Sequence, residues 1–104
     1  MNLHIEALQG KYLATREGIP VILTLFKEEK TTSSLPLFST REQLEAFMAS
    51  IHVSVEEVSQ VHHGGRLWKL AREEGYRILI NPIITAEGKL AALSAFQVVP
   101  AVDA

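Results

Sequence analysis

The chain has 104 residues and a formal net charge of −2 at pH 7, and 47% of its residues are apolar. This length is that of one domain, 1–104, and the apolar share supplies a hydrophobic core. The ten lysine and arginine residues are scattered, which disfavours nucleic-acid binding because phosphate contacts need clustered basic residues. The absence of cysteine excludes disulfides, thiolate metal ligands and cysteine nucleophiles.

No apolar run approaches the roughly 20 residues that a membrane-spanning helix requires. Residues 1–6 show no basic region followed by an apolar core, so no secretory signal is predicted. These features predict a cytoplasmic protein that does not enter a membrane. The composition, with only two asparagines and no cysteine, is mildly suggestive of a heat-adapted source.

The first quarter of the chain predicts a short helix followed by a hairpin. Residues 3–8 place apolar side chains on one helical face. Residues 11–16 and 21–26 contain the β-branched and aromatic side chains that strands favour. Glu17-Gly18 between them is typical of a turn, so these two strands are predicted to pair.

A polar segment follows at residues 27–34. Eight polar residues in a row cannot bury apolar surface, so the segment is predicted to be a solvated loop. A plain connector is the favoured interpretation, and a lid or a partner-binding loop is the alternative. The apolar run 35–38 is typical of a buried strand, in which Pro36 indicates an edge position or the first residues.

The segment 40–51 is predicted to be a helix. Ser39 with Glu42, or Thr40 with Gln43, fits a capping box at its start. One helical face then carries the apolar residues Leu44, Phe47, Met48 and Ile51.

A second helix is predicted at residues 65–74, and Gly75 supplies the left-handed residue that commonly ends a helix. Residues 77–82 are predicted to form a strand covered on both faces, because three consecutive residues are apolar. Pro82 is expected to end this strand and to hold Asn81 in an extended conformation.

Residues 53–61, between the two helices, carry conflicting signals. Ser54 with Glu57 fits another capping box, and the valines have a rough helical spacing. Four valines in nine residues favour a strand instead. A strand here would create two β-α-β crossovers, which are right-handed almost without exception.

Together these features resemble the SseB N-terminal domain family. The resemblance covers roughly half of the chain, residues 35–82, and its matching residues are Leu35-Pro36-Leu37-Phe38-Ser39, Leu44, Phe47, Leu67, Leu70, Gly75 and Ile80-Asn81-Pro82. It implies that the stretch before the second helix is extended, so we expect a strand at residues 55–61. The family has no settled biochemical activity, so the resemblance implies a fold more than a function.

The last part of the chain is predicted to form a hairpin with Glu87-Gly88 at its turn. In residues 89–99, Leu90, Leu93 and Phe96 could also trace one face of a helix. The alternation of side chains favours the strand.

The segment His62–Arg66 is the candidate ligand site. It lies where a strand gives way to a helix, and Gly64 and Gly65 free the backbone there. A helix start favours an anion, and Arg66 can form paired hydrogen bonds with a carboxylate or a phosphate. The P-loop spacing is absent, and an ordinary flexible turn is the alternative interpretation.

Asn81 is predicted to join His63 and Arg66 at this site if the strands that end at Val61 and Ile80 are parallel, because open α/β sheets bind ligands at strand carboxyl ends. No metal or cofactor is predicted, since His62 and His63 would point to opposite faces of a strand. No catalytic residue is predicted either, because no serine lies in a nucleophile elbow.

The predicted fold is α+β, with two main helices and a mixed sheet of about five or six strands that contains β-α-β units. The favoured function is a non-catalytic binding or protein-interaction module, because no triad, metal set or cofactor motif is present. The alternative is an enzyme or a small-anion binder that uses the His62–Arg66 turn. A homodimer is also predicted, through the C-terminal strand and the interface residues Trp68, Phe96 and Val98, because the apolar share is high for a small domain.

Overall fold

The computed structural model describes the backbone of residues 3–27, 30–87 and 90–97 and the side chains of residues 6–24 and 31–87. In chain order its elements are α1 Leu3–Leu8, β1 Tyr12–Arg16, β2 Ile19–Pro20, β3 Leu23–Lys27, β4 Lys30–Leu37, α2 Arg41–Ser50, β5 Glu57–Gln60, α3 Gly64–Glu74, β6 Arg77–Ile84 and β7 Leu90–Gln97. The predicted α+β class is confirmed. None of the helices described is long and apolar enough to cross a bilayer.

The strands form two sheets. The strand order is β2-β1-β5 in a three-stranded sheet and β3-β4-β6-β7 in a four-stranded sheet. In the second sheet β4 and β6 are parallel, whereas β3 and β7 pair antiparallel with their neighbours. The four-stranded sheet is therefore mixed, but the single mixed sheet that the sequence predicts is not found, because the strands are divided between two sheets.

The expected run of β-α-β units within one sheet is not found, because β5 joins the other sheet. A strand is present where residues 55–61 predicted one, but it covers Glu57–Gln60 and pairs antiparallel with β1. Its composition explains its position. A parallel strand beside β4 or β6 would have to be apolar on both faces, whereas three of the four residues of β5 are polar and exposed.

The chain from residue 19 to residue 27 changes its strand partner. β2 pairs with β1, and the Val21 amide donates to the Ala14 carbonyl (2.9 Å), but β3 then pairs with β4. The predicted hairpin is thus confirmed only next to its turn. The edge of β1 is already occupied further along, because Tyr12 and Phe38 exchange backbone hydrogen bonds of 2.7 and 2.9 Å that link the two sheets.

Most of the predicted polar loop is strand. β4 begins at Lys30 and pairs with β3 through residue 34, and β3 extends to Lys27, so the prediction of a solvated loop at residues 27–34 is wrong for Lys27 and for residues 30–34. Serine and threonine satisfy their backbone groups in this ladder, and polarity alone is only a correlate of loops. Ser34 is fully buried.

The prediction that Pro82 ends a strand is also wrong, since β6 continues to Ile84. Pairing with β4 stops at Ile80, so Pro82 lies where β7 is the only neighbour among the described strands. Proline is tolerated in such one-sided positions because its missing N–H removes little from the ladder. Asn81 is not extended but has a φ of 50°.

Consecutive residues of β1 and of the end of β4 point into two apolar clusters. Leu13 and Leu37 belong to the first cluster, and Ala14 and Phe38 belong to the second. The first cluster also holds Leu8, Leu35, Val61, Ala71, Ile78 and Ile80, and the second also holds Leu44, Phe47 and Met48. α3 covers the first cluster and α2 covers the second.

The predicted helix ends are confirmed where their signals are local. Of the two capping boxes proposed for α2, the one that forms joins Thr40 and Gln43: the Gln43 amide donates to Thr40 Oγ1, and the Thr40 amide donates to Gln43 Oε1, both at 3.1 Å. α3 ends at Gly75, which has a φ of 75°. It begins at Gly64, one residue before the prediction.

Candidate functional site

A groove of about 420 Å³ lies between the start of α3 and the β1–β2 hairpin. We call it the α3 groove. It is lined by Leu13, Gly18, Pro20, Val61, His62, His63, Arg66, Leu67 and Leu70. The structure therefore places the predicted site residues His63 and Arg66 in one depression, together with His62.

The floor of the α3 groove is apolar. Leu13 and Val61 reach it from the sheet, and both belong to the first apolar cluster. Leu67 and Leu70 reach it from α3 and are only half-buried, so part of their surface is open to a ligand. Such a surface favours apolar side chains over a small hydrated anion.

The Gly64 amide, the first of α3, already has a partner. It donates to Gln9 Oε1 at 3.0 Å, and Gly64 itself is buried. The amides of Arg66 and Leu67 donate to the His63 carbonyl at 3.1 and 3.2 Å. These bonds weaken the interpretation of Gly64-Gly65 as a backbone cradle for phosphate, because the Gly64 and Arg66 amides are occupied.

The start of α3 is nevertheless positive. The first turn contains no acidic residue, and Arg66 lies in that turn beside the positive end of the helix dipole. No carboxylate within the described side chains forms an ion pair with Arg66, which is exposed. An arginine beside a helix start costs stability unless an anion compensates it, so this end of the groove is complementary to a carboxylate.

A carboxylate lies next to the groove, beside the lining residue Gly18. Glu57 Oε1 accepts hydrogen bonds from the Gly18 amide (2.8 Å) and from Thr15 Oγ1 (3.0 Å). The Gly18 bond, followed by the Thr15 bond, lowers the pKa of Glu57 from its ordinary value of 4.5. Glu57 is therefore ionised at neutral pH and holds the hairpin turn in place.

Asn81 does not join this site. Its Oδ1 accepts from the Ser39 amide at 2.8 Å, and its Nδ2 donates to Ser39 Oγ at 3.0 Å. It lines a different depression of about 250 Å³ between α2 and β6, which we call the β6 groove. The condition that would have brought Asn81 beside His63 is not met, because β5 and β6 belong to different sheets.

The β6 groove has no charged residue in its lining, which consists of Gln43, Ala46, Phe47, Ser50, Asn81, Pro82, Ile83 and Ile84. A third depression, at the tip of the β1–β2 hairpin, contains Arg16, but this arginine pairs with Glu56 at 3.3 Å. Among the described residues, the α3 groove thus combines an apolar floor with a cation that lacks an ion-pair partner.

Of the predicted interface residues, Trp68 is half-buried and packs against the first apolar cluster. Phe96 lies in β7 opposite Ile78, and Val98 lies outside the described residues. Within the part of the chain that the structure describes, no group of three or more histidine and carboxylate side chains is close enough to hold a metal ion.

Two residues of this site were missed by sequence reasoning. Gln9 carries no local signal, because the amide that it caps is 55 residues away. Glu57 was interpreted as half of a capping box with Ser54, whereas its carboxylate serves the turn at Gly18. The polar sequence of β5 was the available signal for Glu57, because it indicates a strand whose side chains lie at the surface and can bond to neighbouring backbone groups.

Comparison with protein families, with curated proteins and with solved structures finds no significant match for this chain.

Proposed function

We propose that this protein is a non-catalytic interaction module whose α3 groove binds an extended segment of a partner protein, with an apolar side chain on the floor and an acidic group at Arg66. The observation that carries the proposal is the open apolar floor beside an arginine that has no ion-pair partner among the described side chains. This is the protein-interaction function that the sequence favours.

The alternative, a small-anion site on the backbone of the His62–Arg66 turn, has less support. The Gly64 amide is occupied by Gln9, and the amides of Arg66 and Leu67 are occupied by the His63 carbonyl. A free phosphate would also leave the apolar floor unused. An acidic residue flanked by apolar residues uses both parts of the groove.

A display library of random dodecapeptides, selected on the wild-type protein, tests this function. We expect enrichment of sequences in which aspartate or glutamate lies next to leucine, isoleucine, valine or phenylalanine. The selected peptides should bind Arg66→Glu about tenfold more weakly, because the substitution replaces an attraction by a repulsion.

Arg72→Glu is the matched control. Arg72 lies on the same helix, is exposed and is not part of the groove, so its substitution changes the net charge equally without touching the site. Arg66→Glu should fold well, since it places an acidic residue near a helix start. Binding that weakens equally in both variants, or a selection that enriches no acidic sequence, contradicts the proposal.

A homodimer through the C-terminal strand is a second proposal, supported by the place of β7 in its sheet. β7 lies at the edge of its sheet among the described strands, and the backbone groups of an edge strand can pair with a second copy. Light scattering at micromolar concentration should give a dimer mass that is lost in Phe96→Glu. A monomer mass for the wild type contradicts it.

Kinship with the SseB N-terminal domain family also remains a proposal. Its support is that two of the residues that carry the resemblance, Ser39 and Asn81, bond reciprocally and join the end of β4 to β6. We expect the same pair of bonds in structures of that family, and their absence would count against the kinship.

A further inference from the structure

The carboxylate of Glu57 lies on the same face of the sheet as the floor of the α3 groove. Thr15 is directly opposite Glu57, and Leu13 is directly opposite Ser59. Opposed residues share a face, as do alternate residues along a strand, so this face carries Leu13, Thr15, Glu57 and Ser59, and Val61 continues it. The hydroxyls of Thr15 and Ser59 approach to 3.2 Å and complete a polar patch beside the apolar floor.

Only one oxygen of Glu57 is used within the described structure. Oε1 accepts the hydrogen bonds from Gly18 and from Thr15, whereas no described group bonds to Oε2. Glu57 is exposed and forms no ion pair with a described lysine or arginine. Its neighbour Glu56 differs, because it points to the opposite face and pairs with Arg16.

The groove therefore lies between two groups of opposite charge. Arg66 lines it at the start of α3, and Glu57 lies just outside its lining, hydrogen-bonded to the lining residue Gly18. About 13 Å of extended chain separates Glu57 from Val61, the residue that leads into α3, at about 3.3 Å per residue. A peptide of roughly four to six extended residues covers this distance.

We infer that Glu57 selects a basic group on the ligand: the α3 groove binds an extended protein segment whose acidic residue pairs with Arg66 and whose basic residue pairs with Glu57, with apolar residues between them. This inference rests on the proposed function of the groove. It adds a second charge to the ligand and fixes which end of the segment lies against the hairpin.

The test uses peptides with blocked termini in which a glutamate and a lysine are separated by a series of leucines of increasing number. A reference series replaces the lysine by glutamine. Binding to the wild type, Glu57→Gln and Glu56→Gln is measured by NMR titration. Glu57→Gln is chosen because its amide oxygen can still accept the bonds from Gly18 and Thr15, so the turn keeps its position.

At the best spacing, Glu57→Gln should weaken binding of the lysine peptide by about two- to fivefold, as expected for one exposed ion pair. It should leave the glutamine peptide unchanged, and Glu56→Gln should leave both unchanged. With the wild-type protein, the glutamine peptide should bind more weakly than the lysine peptide by the same factor. This comparison requires no protein variant.

Two failures are distinguishable. If Arg66→Glu weakens binding about tenfold but Glu57→Gln weakens both peptides equally or neither, the inference about Glu57 is overturned and the groove function stands. If the peptides do not bind, or bind Arg66→Glu as well as the wild type, the groove function itself is overturned and the role of Glu57 is overturned with it.

Discussion

The two main helices begin in opposite ways. At the start of α2, Thr40 and Gln43 cap each other, and an acidic residue lies in the first turn. At the start of α3, His63 provides no capping side chain, the first turn lacks an acidic residue, and the Gly64 amide is capped by the distant Gln9. The backbone amides at the start of α2 are thus capped by nearby residues, whereas the start of α3 is positively charged and lies beside a groove.

This difference separates a structural end from a binding end. The start of α3 contains two glycines, which are poor helix formers, and an arginine that has no ion-pair partner among the described side chains, whereas Arg41 at the start of α2 pairs with Glu45. Both choices cost stability. A ligand that carries an acidic group recovers part of that cost, whereas α2 needs no ligand to complete its first turn.

The largest expected loss of stability comes from removing the hydrogen bonds between Asn81 and Ser39, the residue just before α2. Asn81→Ala loses both bonds to Ser39 and forces alanine into a positive φ, so we expect it to cost about 2–3 kcal/mol. Asn81→Asp, the matched variant, keeps an acceptor for the Ser39 amide and should cost clearly less. Chemical denaturation measures both, and equal losses would mean that the bonds to Ser39 contribute little.

The next prediction compares the two N-terminal caps directly. Thr40→Ala should cost about 1 kcal/mol, because it removes the capping oxygen of α2. Gln9→Ala should cost a similar amount, because it leaves the amide of the buried Gly64 without its bond. Hydrogen exchange should locate each loss at the start of its own helix. A Gln9→Ala variant as stable as the wild type would contradict the distant cap.

The same contrast explains how much was predictable. The Thr40–Gln43 cap joins residues three apart, so the sequence alone predicts it. The bonds from Gln9 to Gly64 and from Asn81 to Ser39 join residues 55 and 42 apart, and no local pattern reveals them. The rule that proline holds the preceding residue extended failed at Asn81 because those distant bonds stabilise its positive φ.

The candidate site was predictable in part. His63 and Arg66 were found from the glycine pair before a helix. The apolar floor includes Leu13 in β1, which pairs with β5, the strand that leads into α3. The sequence placed β5 in the other sheet, so it could neither assemble the groove nor exclude Asn81 from it.

The C-terminal ends of the helices differ in the opposite direction: the end of α3 is the relaxed one. The expected changes in stability are smaller here. α3 ends at Gly75, which is in the left-handed region, whereas α2 ends at Ser50 and the chain beyond it has a φ of 60° at His52. Gly75→Ala should cost about 1 kcal/mol, and His52→Gly should stabilise the protein by about 0.5–1 kcal/mol. Thermal denaturation of the two variants and the wild type measures both changes in stability. If His52→Gly is destabilising, the backbone strain assigned to His52 is wrong.

The smallest expected effect is the loss of stability at acidic pH when Glu57 becomes protonated. Because the pKa of Glu57 is lowered in the folded protein, its ionised form stabilises the fold above the ordinary value of 4.5, and this contribution disappears as the pH falls through the lowered pKa. The wild type should therefore be slightly more stable than Glu57→Gln at pH 7, and the difference should shrink below about pH 4.5. A difference that stays constant with pH contradicts the assigned role.

The most direct measurement of the central claim is an NMR titration of the wild-type protein with the glutamate–leucine–lysine peptides, mapped residue by residue. The account predicts that the largest shifts fall on amides of the α3 groove, including Leu13, Val61 and Arg66. Amides of the β6 groove, such as Ile83, should remain unshifted. Shifts concentrated in the β6 groove, or no localised shifts at any peptide concentration, would contradict the account.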